Sequence, residues 1–588
     1  MDKLAEIRKL MKDRGIDAYI VPSTDSHTAE RTTDHWKARA WMSGFTGSSG
    51  TLVVMQDMAG IWTDGRYHIQ AEKELAGSGI ELFRFGTPDI PTHVKFLADK
   101  LASGSKVGFD GRTMSTASFD ILREKLKEKS IGYHYTEDLV GQIWKDRPPL
   151  PSEKAFLHVP PFATTSASKK LETVRGKMKE KGFDFYLVSA LDAVAWLLNI
   201  RGRDIPNIPM VYAHVLVSAT KTHVFIDQSK LEGISGKLTS EGIILHDYDS
   251  LPDFLGELKE GKIYYNADAT NVLLSETIPT ELSKVNSPVD DIIAPLKAVK
   301  SDADIANIKN AFIKEGVAMV KTLKWIDDNV ADGKMRESDV AVMMTNNRKP
   351  QKDYYCDAFS SICAYGENAA QAHYSPGPEG AQIKPDGFLL IDTGGNYLDG
   401  TTDTTRTIAV GPLTDEMKRD FTLVLKGHIA LDRAIFLKGT TGPAIDVLAR
   451  LPMWQTGQNY GHGTGHGIGY FLAVHEGPHS IAMRKNDVAL VPGMLASNEP
   501  GIYKEGRYGI RTECIILVVP KMTTPDGEFY GFENLTHCPI DKRAIQTDML
   551  TPEERDWINS YHKRTRETLT PYLSPAEQAW LKDATEAI

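Results

Sequence analysis

One feature of this chain limits its fold more than any other: between positions 388 and 513, acidic residues recur at the ends of apolar runs. An apolar run predicts a buried strand that ends at Asp392, and β-branched residues around Asp403 predict a neighbouring strand. Buried strands tolerate lone acids badly, and acids that share one site repel each other. Divalent cations remove that repulsion. The candidate ligands are Asp392, Asp403, His466, Glu499 and Glu513.

Four carboxylates and one neutral imidazole match the charge of two divalent ions and leave coordination positions open. Taken singly, each of these residues has a simpler interpretation as a turn residue, a solvated strand residue or a loop histidine. Arg406 and Arg511 are the basic residues that lie near the acids in the sequence. So few basic partners favour a shared metal site over separate ion pairs.

The order and spacing of the five residues resemble a known family. The two aspartates lie 11 positions apart and the two glutamates 14, as in the dinuclear metallopeptidases of the "pita-bread" fold, and within that group the spacing is most similar to aminopeptidase P. The segment HGTGHGIGYFLAVHEGP, from His462, resembles the long cytosolic Xaa-Pro aminopeptidases. Its spacing of 9 residues from His466 to His475 is longer than expected of prolidases. The resemblance extends over essentially the whole chain and implies an α/β (α+β) architecture.

The first half of the chain contains an internal repeat. The segment KLAEIRKLMKDRGIDAYIV from Lys3 aligns with KLETVRGKMKEKGFDFYLV from Lys170 at an offset of 167 residues. Two copies predict duplicated α/β domains, with chance similarity between two helix–turn–strand units as the alternative. The resemblance implies two creatinase-like domains before a pita-bread catalytic domain with a C-terminal extension. We expect these domains at 1–157, 158–294 and 295–588.

Composition restricts the function further. A net charge of −10, from 68 basic and 78 acidic side chains, argues against a general nucleic-acid surface. Four cysteines in 588 residues do not make a disulfide framework and suit a reducing compartment. The N-terminus is charged and predicts a helix rather than a signal peptide. The sequence contains no run of about 18 apolar residues, so we expect no membrane span. We expect a cytoplasmic enzyme without nucleic-acid or membrane partners.

The resemblance implies a role for each metal ligand. Asp403 and Glu513 would bridge two divalent ions, Asp392 would bind one of them, and His466 with Glu499 would bind the other. Glu499 also counts among the catalytic residues. The oxygen-rich ligand set favours Mn²⁺, with Zn²⁺ and Co²⁺ as alternatives. A hydroxide that bridges the ions would attack the scissile carbonyl.

The implied substrates are peptides with proline as the second residue. Proline forms a tertiary amide without an N–H group, so its recognition needs an apolar slot. The free amine would bind near Asp392, which limits cleavage to the first residue. The catalytic histidines that the resemblance implies are His373, His462 and His475. We assign carbonyl contact and positioning to His373, proton transfer or the proline pocket to His462, and oxyanion stabilisation to His475; a structural loop histidine is the alternative for each.

Three further residues are expected to contact the substrate. Arg511 lies two residues before Glu513, where it can orient a ligand or a substrate; a strand-edge arginine satisfied by a carboxylate is the alternative. Tyr503 follows Glu499 by four residues. Arg66, in the first domain, resembles a position that reaches an active site in the dimer.

Two other functions compete with this interpretation. A prolidase would use nearly the same ligands but cleave dipeptides only, and the repeated N-terminal domains argue against it. A non-catalytic binding protein of the same fold would have lost ligands, whereas all five are present here. The resemblance also implies a homodimer, to which the helical tail beyond about residue 550 contributes.

Overall fold

The computed structural model describes residues 2–377 and 379–588. They form two compact units. The first contains the residues up to Val159 together with Thr165–Ile293, and the second contains Pro160–Thr164 together with Ala294–Ile588. The division of the chain into three domains at the boundaries given above stays a prediction. Among the described helices, none has both the length and the apolarity that crossing a bilayer requires.

The first half of the first unit is a six-stranded sheet with flanking helices. Its helix α1 buries Ile7 and Met11. The elements are α1 (Lys3–Asp13), β1 (Ala18–Val21), α2 (Ala38–Ser43), β2 (Thr51–Met55), β3 (Ala59–Thr63), α3 (His68–Glu74), β4 (Glu81–Arg84), α4 (His93–Lys100), β5 (Lys106–Phe109), α5 (Thr116–Leu126), β6 (Gly132–His134) and α6 (Leu139–Ile143). The strand order is β4-β3-β2-β1-β5-β6.

The second half of the first unit repeats this sheet. Its elements are β7 (Phe156–Leu157), α7 (Ala167–Lys181), β8 (Phe185–Val188), α8 (Leu191–Leu198), β9 (Ile200–Arg201), β10 (Ala213–Ser218), β11 (Thr222–Ile226), α9 (Ser235–Ser240), β12 (Ile243–His246), α10 (Leu251–Gly256), β13 (Lys262–Tyr265), α11 (Val272–Thr277) and β14 (Ser283–Val285). The order β12-β11-β10-β8-β13-β14 matches that of the first sheet. In each six-stranded sheet, the strand that comes first in the sequence lies between an antiparallel and a parallel neighbour; this strand is β1 in the first copy and β8 in the second. The duplicated fold that the sequence repeat predicts is therefore confirmed.

The second unit carries the longest helix. Ser301 and Asp304 form a capping box at its start, and the side chain of Thr414 caps a later helix. The helices are α12 (Ile293–Ala298, at the junction of the units), α13 (Asp302–Asn329), α14 (Glu337–Arg348), α15 (Asp415–Asp432), α16 (Gly442–Trp454), α17 (Pro552–Leu569) and α18 (Pro575–Ala584). The mixture of helices and sheets in both units confirms the α/β (α+β) fold class.

Among the described residues, four sheets complete the second unit. The strands are β15 (Tyr354–Asp357), β16 (Ile362–Tyr365), β17 (Phe388–Thr393), β18 (Gly395–Tyr397), β19 (Gly400–Thr401), β20 (Thr404–Ala409), β21 (Ile435–Leu437), β22 (Gly465–Gly467), β23 (Glu476–Ile481), β24 (Leu495–Asn498), β25 (Gly501–Lys504), β26 (Tyr508–Arg511), β27 (Cys514–Thr524) and β28 (Gly527–Asn534). The sheets are β15-β18-β19, β16-β17-β20, β21-β28-β27-β24-β22-β23 and the hairpin β25-β26.

Two of these sheets meet at the candidate site. The backbone N–H of Glu513, between β26 and β27, donates to the carbonyl of Thr405 in β20 at 3.1 Å. The N–H of Glu499, directly after β24, donates to the carbonyl of Thr464 at 2.8 Å. Strand ends from separate sheets therefore bring acids together that lie more than one hundred residues apart in the sequence.

Candidate metal centre

The strand pair β17 and β20 positions both aspartates. Asp392, near the end of β17, lies opposite Thr405 of β20 in the antiparallel register. Asp403 immediately precedes β20 and is buried. All six residues of β20 are buried, which matches the fully enclosed strand that its β-branched residues favour. The two predicted neighbouring strands are confirmed, and their pairing brings the two aspartates together.

Glu513 reaches the same place from the other sheet. Its side chain is buried, and its Oε2 accepts a hydrogen bond of 2.8 Å from the hydroxyl of Thr405. The guanidinium of Arg406 donates to the backbone carbonyl of Glu513 at 2.6 Å. One carboxylate oxygen of Glu513 is thus fixed by a neutral donor, while Oε1 stays available to another ligand.

His466 and Glu499 face each other across β22 and the end of β24. Nδ1 of His466 lies 3.0 Å from the carbonyl of Gly467, so Nδ1 carries a proton, and the neutral form of the ring offers its Nε2 lone pair to a metal ion. This Nε2 lies 3.3 Å from Oε1 of Glu499 and 3.7 Å from Oδ2 of Asp403. The hydroxyl of Ser497 donates to Glu499 at 3.0 Å and accepts from the N–H of His466 at 2.9 Å.

Three of the five predicted ligands form a tight group. One ligand atom each from Asp403, His466 and Glu513 lies within 4.8 Å of the others. Glu499 joins this group through its contact with His466. Asp392 belongs to it electrostatically, because its charge raises the pKa of both Asp403 and Glu513. The structure therefore brings all five predicted ligands together.

The charge of this group calls for cations. Oδ1 of Asp392, Oδ1 of Asp403 and Oε1 of Glu513 are buried, and no described residue gives any of them a hydrogen bond. Burial, and then the charges of neighbouring carboxylates, raise the pKa of Asp403 and of Glu513 well above the usual range. Unpaired buried oxygens and mutual repulsion are both relieved by divalent ions. The donor set of carboxylates and one imidazole fits two such ions.

His466 and Glu499 stabilise each other's charged forms in the chain without cations. Burial opposes ionisation of both residues. The hydrogen bond and the charge of Glu499 nevertheless raise the pKa of His466 to about 9, and the same contact lowers the pKa of Glu499 to about 2. The imidazolium thus supplies positive charge where a metal ion would supply it, in competition with metal binding.

Hydrogen bonds link two predicted substrate-binding residues to the candidate ligand Asp392. The guanidinium of Arg511 donates to Oδ2 of Asp392 at 2.5 Å and to the hydroxyl of Tyr503 at 2.7 Å. That hydroxyl lies 2.8 Å from Nε2 of His462, whose Nδ1 donates to the carbonyl of Gly463. Burial lowers the pKa of His462 to about 4, so this imidazole is neutral at neutral pH. Arg511 is satisfied by a carboxylate, and that carboxylate is a predicted metal ligand.

The remaining predicted residues lie in different surroundings. The ring of His475, directly before β23, is 4.3 Å from the ring of His466 between centroids. His373 lies half-buried in the loop that precedes β17, and its role towards the substrate stays a prediction. Arg66 belongs to the first unit, where its guanidinium donates to both oxygens of Asp64 at 2.8 Å. The role of Arg66 at an active site stays a prediction.

Sequence reasoning missed two residues that hold the ligands and misjudged a third. Thr405 and Ser497 bind ligand carboxylates through their hydroxyls. Arg406 is not a partner for the acids; its buried guanidinium donates to backbone carbonyls and to the hydroxyl of Tyr561 at 2.6 Å. The threonines of segment 401–407 also carry hydroxyl groups, which are possible donors to a carboxylate. The strand prediction rests only on their β-branched shape.

Comparison with protein-family models assigns every major segment. The metallopeptidase family M24 matches residues 306–520, and the C-terminal region of that peptidase family matches residues 528–588. The creatinase/prolidase N-terminal domain matches twice, at residues 3–136 and 146–304. The segment that matches family M24 includes all five candidate ligands.

Two known proteins resemble the chain over its full length, and a third resembles part of it. Aminopeptidase P2 of Arabidopsis thaliana is 36% identical over 100% of this chain and 88% of its own length. The crystal structure of X-prolyl aminopeptidase from Caenorhabditis elegans, described as a cytosolic enzyme with a di-nuclear active site, shares 32% identity and a TM-score of 0.95, and covers 100% of this chain and 99% of that one. The Xaa-Pro dipeptidase of Bacillus anthracis matches with 26% identity and a TM-score of 0.51, over 64% of this chain and 99% of its own.

Proposed function

The chain belongs to the aminopeptidase P family of the M24 metallopeptidases, and we propose on this basis that it removes the first residue from peptides whose second residue is proline. The observation that carries the proposal is the group of Asp403, His466 and Glu513, whose ligand atoms lie within 4.8 Å of one another. Family membership makes the chain a metallo-exopeptidase. It leaves no support for a non-catalytic binding protein, which would lack ligands.

The five ligands would hold two divalent ions. Asp403 and Glu513, each with an unpartnered buried oxygen, would contact both ions; Asp392 would contact one, and His466 with Glu499 the other. The oxygen-rich donor set supports Mn²⁺. When bound, the ions supply positive charge that activates a water molecule and polarises the scissile carbonyl.

The other site residues bind and orient the substrate. Asp392, held by Arg511, would accept a hydrogen bond from the free amine, which explains cleavage at the N-terminus. His475, beside His466, would donate to the carbonyl oxygen as negative charge develops on it. The neutral imidazole of His462, hydrogen-bonded to Tyr503, would border the proline ring or transfer a proton.

A dipeptidase is the competing function within the fold. The dipeptidase of B. anthracis corresponds to 64% of this chain, whereas the aminopeptidase of C. elegans corresponds to the whole of it. The tandem repeat of the first unit therefore supports an aminopeptidase of the long type. Longer Xaa-Pro peptides should be cleaved at least as well as Xaa-Pro dipeptides, and Xaa-Ala peptides should not be cleaved.

The experiment uses these three substrates with the protein purified without added metal. Metal analysis of that protein should find two divalent ions per chain, and chelation followed by Mn²⁺, Zn²⁺ or Co²⁺ should identify the ion that restores activity. Glu513→Gln is the matched variant and should lose both metal and activity. Cleavage of dipeptides alone would make the chain a prolidase, and full activity after exhaustive chelation would refute a metal-dependent reaction.

We propose a cytoplasmic homodimer as the working form. The C-terminal tail packs within the second unit; Tyr561 of α17 contacts Arg406 there, and Trp580 of α18 donates to Asp327 at 2.9 Å. An apolar stripe of Val447, Leu451 and Trp454 on α16 is 40–47% exposed and offers a face for a second copy. Sedimentation of the wild type and of Trp454→Glu measures whether the chain forms a dimer and whether this face of α16 is needed for it.

A further inference from the structure

A buried carboxylate shared by two buried lysines lies next to the metal centre. Oε2 of Glu476 forms an ion pair of 2.9 Å with Lys297, and Oε1 forms a second ion pair with Lys300. All three side chains are at most 3% exposed. Burying three charges costs desolvation free energy, and an apolar cluster of the same volume is often as stable. Stability alone is therefore a poor explanation for this group, which we call the Glu476 triad.

The triad fixes the start of β23. Glu476 is the first residue of that strand and directly follows His475. It pairs in register with Gly467 of β22, and the register shifts between His466 and Gly467. A Cβ atom on Gly467 would lie 2.1 Å from the carbonyl oxygen of Glu476, so the two backbones touch and no side chain fits between them. The position of Glu476 thus sets the position of His475 relative to the ligand strand.

The two lysines are themselves held by backbone contacts. The N–H of Lys300 donates to the carbonyl of Gly493 at 2.9 Å, and its ammonium donates to the carbonyl of Lys297 at 3.0 Å. Val299 forms an isolated bridge with Met494, directly before β24. Glu499 follows the other end of β24. The triad therefore connects β23 to a segment that is fixed against the strand leading to a metal ligand.

We propose that Glu476, held by Lys297 and Lys300, is a positioning residue that sets the direction of the His475 imidazole beside the metal centre. The inference rests on the proposed function and on the role given there to His475. Directional contacts are needed because apolar packing is non-directional and tolerates small shifts of a strand. A catalytic donor that is displaced by about 1 Å loses much of its effect on the rate.

The test combines a variant of the triad with one of His475. Lys300→Met leaves the balanced pair of Lys297 and Glu476, so the protein should fold and retain two metal ions. In the wild-type background we expect kcat on an Xaa-Pro peptide to fall about tenfold with KM nearly unchanged. In the His475→Ala background the same substitution should have no further effect on kcat, because both changes act through one imidazole. Lys300→Arg, which keeps a charged donor, should restore most of the loss.

Matched variants separate positioning from stability. Lys230→Met removes an equally buried ion pair, 2.6 Å from Lys230 to Asp204, in the first unit. It should lower the melting temperature and leave kcat the same in either background. If Lys300→Met does not fold, Glu476→Asp keeps all three charges, shortens the side chain by one methylene and provides the same comparison.

The outcomes distinguish the inference from the function on which it rests. Loss of kcat that persists in full in the His475→Ala background, or loss of a metal ion, would overturn the inference and give the triad a general structural role. A wild type that does not cleave Xaa-Pro peptides would overturn the proposed function. A wild type that cleaves them while His475→Ala keeps full kcat would remove the role of His475, and the inference with it.

Discussion

The hydroxyl of Thr405 donates a hydrogen bond of 2.8 Å to Oε2 of Glu513, although 108 positions separate the two residues in the sequence. Thr405 also lies opposite Asp392 in the sheet, and its backbone carbonyl accepts the N–H of Glu513. One threonine therefore connects two candidate metal ligands that come from different sheets.

Removing this hydroxyl should weaken the metal centre. Thr405→Val keeps the shape of the side chain but leaves Oε2 of Glu513 without its donor, and loss of such a contact typically costs about 10- to 100-fold in metal affinity. Titration of the metal-free protein with Mn²⁺ measures the change. Thr407→Val is the control, because the Thr407 hydroxyl contacts only the backbone of Arg511 among the described contacts. Equal affinities for both variants would show that Thr405 does not support a ligand.

Chelation should destabilise the protein as well as inactivate it. Without cations, burial and then the repulsion of neighbouring carboxylates raise the pKa values of Asp403 and Glu513. We expect a lower melting temperature in the presence of a chelator at pH 8 and full recovery with Mn²⁺. Asp403→Asn should melt at nearly the same temperature with and without chelator. An unchanged melting temperature of the chelated wild type would mean that the acids are solvated separately.

His475→Ala should lower kcat about 100-fold and change KM little. Loss of one donor to a developing oxyanion typically costs about 3 kcal/mol of transition-state stabilisation. Because His475 contacts His466 through its ring and is not among the five ligands, the variant should retain two metal ions. Metal analysis is the decisive measurement, since a lost ion would make His475 a sixth ligand.

Arg66→Ala tests whether the first unit contacts substrate. If Arg66 reaches an active site in the dimer, the substitution should raise KM for long Xaa-Pro peptides and leave dipeptide hydrolysis unchanged. Arg84→Ala, which removes an arginine paired with Glu72 in the same unit, is the control. Unchanged kinetics on both substrates would restrict Arg66 to its contact with Asp64.

The first unit should lose stability in mild acid. His27 is buried, its ring stacks at 4.0 Å on that of His214, and burial lowers its pKa from the usual 6.5 to about 4. Because the pKa of His27 is lower in the folded state, protonation favours the unfolded chain. The contribution of His27 to the unfolding free energy is complete above pH 6.5 and is lost as the pH falls from 6.5 towards 4. At 1.36 kcal/mol per pKa unit, it amounts to at most about 3 kcal/mol.

His27→Gln isolates this contribution. Glutamine keeps a donor for the carbonyl of Ser189 but does not titrate. Urea unfolding at pH 7.5 and pH 5 should show a smaller drop in unfolding free energy for the variant than for the wild type. An equal drop in unfolding free energy for both proteins would show that His27 has the same protonation state in the folded and unfolded chain at pH 5. It would then not contribute to the acid sensitivity.

Sequence alone indicated the candidate ligands and the duplicated N-terminal fold. Each of these is local: an acid at the end of an apolar run, or a helix–turn–strand unit repeated at a fixed offset. Short-range patterns of this kind depend on residue type and spacing, both of which are known from the sequence without a structure.

Only the tertiary structure decided how the ligands are supported. The contacts of Thr405 with Glu513, of Arg511 with Asp392 and of Lys300 with Glu476 each join residues more than one hundred positions apart. They depend on which strands pair and in which register, and the register shift at His466 cannot be read from alternating residues. Arg406 illustrates this point. It lies near the acids in the sequence, but in the fold its guanidinium donates to the backbone carbonyl of Glu513 and to the hydroxyl of Tyr561, not to a carboxylate.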